Sequence, residues 1–206
     1  MGEVKDKNKT QVQSARRKKI PESLVYERLP DGTPIYYQGY KEYIKGTKSI
    51  ESIVGSGFQQ SFIIGCVVKY LNLNLPPHFV LLLNEFGLKT GNKSWRNLDI
   101  AIYDRAQLKG VPRQDKYLSI PPQVVIEVDT KAELEDLPVP LDYYHRKTDE
   151  LLNQGVQKVI WVFTANEKIM EAEAGKDWIT SGWTRSIALP ENLTLNLANL
   201  MAGNLL

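Results

Sequence analysis

Two acidic side chains stand inside apolar, β-prone runs, where a solvated surface carboxylate is not expected. Asp99 lies in Leu98-Asp-Ile-Ala-Ile102 and Glu127 in Val124-Val-Ile-Glu-Val128. A carboxylate buried in a strand carries a desolvation cost unless it meets a cation or a metal, which makes such positions informative. Glu127 and Asp129 are two apart and would share one face of an extended chain. If the strands of Asp99 and Glu127 are neighbours, the two carboxylates can converge on one hard divalent cation. Oxygen-only ligation of that kind suits Mg²⁺ or Mn²⁺ and not zinc. Lys147 supplies a cationic group: Tyr144 three residues before it and Leu151 four after put it beside the apolar stripe of a helix, leaning over the sheet. Each residue also has an ordinary structural reading. Asp99 can cap a turn or pair with Arg96, Lys147 can be a snorkelling surface lysine, and all three can form a purely structural ion-paired network.

The elements that must position these groups follow from the pattern of the chain. Pro30-Asp-Gly-Thr-Pro34 is a turn with a short extended stretch on either side. Tyr40–Gly46 reads as a short helix. Ile50, Val54, Phe58, Phe62, Cys66 and Tyr70 then recur every four residues, flanked by Ile53, Ile63, Val67 and Leu71, and predict a long helix ended by Leu75-Pro-Pro77. Gly55 and Gly57 weaken its middle, where a close backbone contact or a break would fall. Short apolar runs predict strands at Phe79–Asn84, Asn97–Tyr103, Gln123–Val128 and Val156–Thr164, with a polar excursion over 104–119. A helix over Leu141–Asn153 ends at Gly155, a residue suited to the left-handed cap. Alternation through Trp178, Trp183 and Ile187 predicts a C-terminal β-hairpin, and Leu193–Ala202 a last helix or edge. The order implies an α/β (α+β) domain with a mixed central sheet flanked by helices.

Composition bounds the rest. The 206 residues are 42% hydrophobic and 24% charged, a globular balance that argues against wholesale disorder. No apolar stretch approaches the roughly 18–20 residues of a membrane span, and no signal peptide is expected, since the first apolar residues are isolated among lysines. One cysteine, Cys66, points to a reducing, cytoplasmic setting. Two histidines leave little room for a His-based zinc site or a Ser-His-Asp triad. Charge is uneven. Residues 1–20 hold seven basic side chains against Glu3 and Asp6, a net +5, so the remaining 186 residues carry −3 of the total +2. The chain divides into a basic flexible arm, 1–25, and a single domain, 26–206.

The run from Asp99 through Pro121-Pro-Gln-Val-Val-Ile-Glu-Val128, Lys147, Gly155-Val156 and Val159-Ile-Trp-Val162 resembles the Uma-two family, restriction-endonuclease-like proteins of the PD-(D/E)XK nuclease superfamily. The resemblance covers roughly residues 36–202 and is most specific between Glu127 and Trp161. It implies a restriction-endonuclease-like fold and metal-assisted hydrolysis of phosphodiester bonds, with DNA as substrate. In that family the lysine of the (D/E)XK motif has moved from the strand to the next helix, and Lys147 matches that position, while Asp129 stands where other members of the superfamily carry lysine.

Carried over, the resemblance makes Asp99, Glu127 and the Val128 main-chain carbonyl ligands of Mg²⁺ or Mn²⁺, and Lys147 the catalytic lysine. Glu85 and Asp129 become accessory candidates, as does Gln60, since Gln59 or Gln60 falls where the family often has histidine. The chain departs from the family also at Leu98, often proline, and at Thr130, usually serine. Binding of DNA by a slightly acidic body calls for local cations, and Lys89, Lys93, Arg96, Arg105, Lys109, Arg113 and Lys116 cluster around the Asp99 strand. Double-strand cleavage by a domain with one site favours a homodimer. The alternative is a catalytically silent nuclease-fold protein that binds nucleic acid or a protein partner.

Overall fold

The structure is a computed structural model that describes residues 20–112 and 116–203. Each apolar run of the sequence becomes a strand or a helix that buries it. In chain order the elements are β1 (Val25–Arg28), β2 (Pro34–Tyr36), α1 (Tyr40–Ile44), α2 (Glu51–Val54), α3 (Phe58–Asn74), β3 (Phe79–Lys89), β4 (Trp95–Asp104) and β5 (Val124–Val128). They continue with α4 (Pro140–Asn153), β6 (Lys158–Phe163), β7 (Lys168–Glu173), β8 (Ile179–Gly182), β9 (Ile187–Ala188), β10 (Thr194–Leu195) and α5 (Leu197–Ala202).

Eight strands form one sheet in the order β2-β1-β4-β5-β6-β7-β8, with β3 also paired to β4, and β9 and β10 form a separate hairpin. The sheet is antiparallel except for β5 and β6, which run parallel with Glu127 beside Trp161. A parallel pair needs a crossover, and α4 supplies it. Alternation along β5 divides its side chains between two layers. Ile126 and Val128 join Ile63, Val67 and Leu71 of α3 in one core, whereas Val125 joins Tyr143 and Leu151 of α4 and Trp161 of β6 in the other. Glu127 shares the parity of Val125 and therefore faces the α4 layer. The fold is thus the mixed α/β sheet between helices that the pattern implied, with its C-terminal hairpin present.

The weak point of the long helix gives way, and three local expectations are corrected. The long helix breaks at Gly55–Gly57 into α2 and α3. Its buried face is Ile63, Cys66, Val67 and Leu71, while Phe58, placed on the stripe by its spacing, is 75% exposed. A strict spacing of four advances about 40° around the helix at each step, so such a row winds off the face it starts on. The strand at Phe79–Asn84 runs on to Lys89. The body begins earlier than residue 26: Leu24 is fully buried and packs with Tyr40, Ile53 and Ile20. The expectation of a basic arm otherwise concerns residues 1–19, outside those described. Among the described residues no helix is long and apolar enough to cross a membrane.

Candidate active site

The site is built where two strands part along one edge of β4. β3 occupies the other edge from Lys89 opposite Trp95 to Phe79 opposite Asp104. The free edge is divided between β1, which meets it at Trp95, and β5, which meets it at Ile100–Ile102. Between these contacts lies a fork at Asn97–Asp99, where main-chain groups find no strand to pair with. Side chains take over. The Asn97 N–H donates to Glu27 Oε1 at 3.1 Å and its carbonyl accepts from the Lys147 ammonium at 2.7 Å. Beyond Ile126 the Val128 N–H donates to Asp99 Oδ2 at 2.8 Å, so a carboxylate completes what the ladder no longer provides.

The other edge is also disturbed opposite Asp99. Leu83 pairs Ile100 and Phe86 pairs Leu98, which leaves both Asn84 and Glu85 facing one residue. This is a β-bulge. Asn84 and Glu85 adopt the left-handed region, at φ 67° and 52°, a conformation that non-glycine residues enter at a cost and that bulges beside functional sites commonly use.

Asp99, Glu127 and Lys147 come together on the α4 face. Lys147 is not beside the helix stripe but within it, in the buried set Tyr143, Lys147, Thr148 and Leu151. Its ammonium lies 3.1 Å from Glu127 Oε1 and 2.8 Å from Glu27 Oε1, and 5.3 Å from the centre of the Trp161 ring, a favourable cation–π distance. Lys147 is fully buried, Glu127 is 1% exposed and Asp99 7%. The register that pairs Ile100 with Ile126 carries Asp99 to the position opposite Glu127.

Electrostatics follow from that burial. Desolvation pushes the Glu127 carboxyl well above its ordinary range; the Lys147 charge opposes this, and Asp99 and Glu27 add to it. Asp99 is raised by burial against the pull of the Val128 N–H and Lys147. For Glu27 burial is outweighed by the charges of Lys147 and Arg96 and the bonds from Lys147 and Tyr143, which hold its carboxyl below the usual range. Burial works against the Lys147 ammonium, but Glu127 and Glu27 keep it charged far beyond neutral pH.

Glu27 is the group that the sequence reading missed. It is fully buried and receives Arg96 Nη1 at 2.9 Å and Tyr143 Oη at 2.9 Å. The signal was present: Leu24-Val-Tyr-Glu-Arg-Leu29 sets an acid among apolar residues much as the Asp99 run does. Arg96 is corrected as well. It is 1% exposed and held by Glu27 and Glu150, so it is not part of a phosphate-tracking surface. Lys89 and Lys93 are exposed, whereas Arg105, Lys109 and Lys116 rim a separate groove beneath the 104–119 excursion. Arg113 lies outside the described residues.

The accessory candidates surround the carboxylates. The Val128 carbonyl accepts the Gln60 amide at 2.8 Å. Glu85 pairs with Lys131 and accepts from Tyr37 Oη at 3.3 Å. Asp129 does not share a strand face with Glu127: it follows the end of β5 at φ 55° and its carboxylate is held by the Thr164 N–H at 2.9 Å and Oγ1 at 2.6 Å. Gln60, Asp129 and Lys131, with Lys48 and the exposed Phe58, line a cleft of about 650 Å³ between the α1–α3 segment and the ends of β5 and β6.

The donor chemistry fits a hard divalent cation. Glu127 Oε1, like Glu150 Oε1 and Glu171 Oε1, is buried without a hydrogen-bond partner, and the Lys147 ammonium lies 3.1 Å from it as an ion pair. Two carboxylates with hard oxygens, the rest of the shell left to water and phosphate, is the usual protein share of a Mg²⁺ site. A closed protein cage is not built: among the described residues no three His, Cys, Asp or Glu side chains gather as a metal site.

No family model matches the chain, and no curated protein matches it in sequence. Among solved structures it is similar to "a putative nuclease belonging to DUF820" from Anabaena variabilis ATCC 29413. The likeness has a TM-score of 0.57 at 14% identity and covers 71% of this chain and 82% of that one. DUF820 and Uma-two designate one family. At this identity the likeness establishes a shared fold.

Proposed function

We propose that the chain is a metal-dependent nuclease that hydrolyses phosphodiester bonds in DNA, with Asp99 and Glu127 holding Mg²⁺ or Mn²⁺ and Lys147 as the catalytic lysine. One observation carries the reading. Two buried carboxylates of adjacent strands and one buried ammonium meet at the fork of β4, and a Glu127 oxygen is left without a hydrogen bond. Likeness in fold to a protein described as a nuclease supports the same class of chemistry.

When bound, the cation would polarise the scissile phosphate and lower the pKa of a water. The chain's own groups do the rest. Asp99, fixed by the Val128 N–H, and Glu127 would each supply an oxygen to the cation from adjacent strands. The Lys147 ammonium, kept charged by Glu127 and Glu27, orients the attacking water or offsets charge on the transition state. Lys48 and Lys131 meet the phosphate backbone in the cleft. Positioning and charge neutralisation are most of what phosphoryl transfer asks of a protein.

The same burial favours a second reading, a catalytically silent nuclease-fold protein that binds nucleic acid or a protein partner. Nicking of supercoiled plasmid by wild type and Asp99→Asn in Mg²⁺ or Mn²⁺ separates the two. The nuclease reading expects nicking that falls by about 10²–10³-fold in the variant, in the range seen when one electrostatic partner of a transition state is removed. Plasmid left intact by the wild type in both metals would establish the silent reading.

A further inference from the structure

We propose that Glu27 is a positioning residue for this site: it holds the Lys147 ammonium away from Glu127 and so leaves Glu127 an oxygen to offer a divalent cation. The inference rests on the reading of Asp99 and Glu127 as cation ligands.

An ammonium has three N–H directions. At Lys147 the two short contacts go to the Asn97 carbonyl at 2.7 Å and Glu27 Oε1 at 2.8 Å. The third contact, to Glu127 Oε1, is longer at 3.1 Å, and that oxygen has no hydrogen-bond partner. An ammonium facing Glu127 alone would close to the shorter distance of a charge-assisted pair, about 2.7–2.9 Å. It would then occupy the oxygen that a metal needs.

Glu27 is fixed too firmly to follow the ammonium. Its Oε2 receives Arg96 Nη1 and Tyr143 Oη, each at 2.9 Å, and its Oε1 receives the Asn97 N–H at 3.1 Å. These donors come from β4 and α4, the two elements that carry Asp99 and Lys147. The buried lysine at the opposite side of the sheet has no such bias: Lys158 lies 2.9 Å from Glu171 and 3.0 Å from Glu173.

Glu27→Gln keeps the shape and an acceptor but removes the charge, and its metal-free crystal structure reads the position directly. The Lys147 ammonium should leave residue 27 and close on Glu127; an ammonium still nearer to residue 27 overturns the proposal. In solution, titration of Mn²⁺ followed by electron paramagnetic resonance should show affinity weakened about tenfold or more, the scale for partners that orient metal ligands.

A double-mutant cycle separates positioning from simple damage. Glu27→Gln placed on Lys147→Met should bind Mn²⁺ as Lys147→Met alone does, because there is no ammonium left to hold. A further loss in the double variant, or a Glu27→Gln protein with wild-type affinity, overturns the proposal. Should Glu27→Gln fail to fold, Tyr143→Phe removes one of the donors fixing the carboxylate and should weaken Mn²⁺ in the same direction; unchanged affinity counts against the role. Wild type that binds no Mn²⁺ defeats the cation reading instead, and the metal-free crystal structures then still decide where Glu27 holds the ammonium.

Discussion

Among the described residues two lysines are buried between glutamates, and only one of them makes a candidate active site. At the fork, Glu27, Asp99, Glu127 and Glu150 surround Lys147 and Arg96, so acid exceeds base in a place almost closed to water. At the start of β6, Lys158 meets Glu171 and Glu173 and donates to the Ala188 carbonyl at 2.8 Å, with Lys176 and Arg185 alongside. There base exceeds acid, and Glu173 is held below its ordinary pKa by hydrogen bonds from Lys176 and Lys158. Glu127 and Asp99 are pushed the other way. A buried lysine with two acids is therefore no signature by itself. What distinguishes the fork is its excess of acid: an oxygen without a hydrogen bond occurs in both networks, at Glu127 and at Glu171, but at the fork burial pushes the Glu127 and Asp99 carboxyls up, which makes them receptive to another cation.

The largest effect expected from this contrast is on stability. Lys147→Met leaves Glu27 and Glu127 facing each other without their shared cation, and removal of one partner from a buried pair costs about 3–5 kcal/mol. Lys158→Met should cost less, about 1 kcal/mol, because Glu173 is a third exposed and water can replace the ammonium there. Denaturation by urea, monitored by tryptophan fluorescence, checks both; equal losses would remove the distinction between the two networks.

Divalent cations should act at one network only. At a concentration 100 times its Kd, a ligand specific for the native state adds about 2.7 kcal/mol, so millimolar Mn²⁺ should raise the Tm of the wild type by several degrees. The shift should vanish in Asp99→Asn, in which the amide oxygen can still accept the Val128 N–H, and persist in Glu171→Gln. A wild-type Tm indifferent to Mg²⁺ and Mn²⁺ removes the cation from the fork.

Much of this arrangement was legible because the acids interrupt strongly apolar strands. The strand over Gln123–Val128, the helix over Leu141–Asn153 and its stop at Gly155, which has φ 104°, all lie close to their expected places. Glu27 was overlooked although its neighbours are apolar, since β1 is only four residues long and adjoins the basic arm. Arg96 read as a surface cation because a sequence shows its charge but not the glutamates that enclose it. Asp129 escaped the two-residue rule because the chain turns left-handed as the strand ends, and alternation holds only while the backbone stays extended. The split pairing along β4 has no local signal at all, because it depends on where β1 and β5 stop relative to each other.

A smaller effect is a difference in sign with pH. Asp99 and Glu127 are raised above their unfolded values, so between about pH 4 and their native pKa values the folded chain binds more protons than the unfolded one. Their contribution to stability therefore falls as pH rises through that window. Glu173 is lowered, so its contribution is present above the unfolded pKa and is lost as pH falls through the native value. Glu127→Gln should flatten the decline of stability between weakly acidic and neutral pH, and Glu173→Gln should lower stability at neutral pH while leaving that decline in place. Urea midpoints measured across pH 4–8 read both slopes, and a steeper decline in Glu127→Gln would reverse the assignment.

The finest distinction concerns the Val128 carbonyl, the expected third ligand. In the structure it accepts the Gln60 amide at 2.8 Å, a contact from α3 that crosses to the end of β5. A carbonyl oxygen has two lone pairs, so the amide leaves one direction for a cation but competes for the other. Gln60→Ala removes a single hydrogen bond between neutral groups and should lower stability by about 1 kcal/mol. The behaviour of Mn²⁺ then locates the third ligand. If the carbonyl ligates, freeing it should strengthen Mn²⁺ binding by a few fold, whereas an amide that merely steadies the end of β5 would leave binding equal or slightly weaker. The ligand reading expects the gain, measured by the same titration as for Glu27, and its absence would confine the protein's share of the cation shell to the two carboxylates.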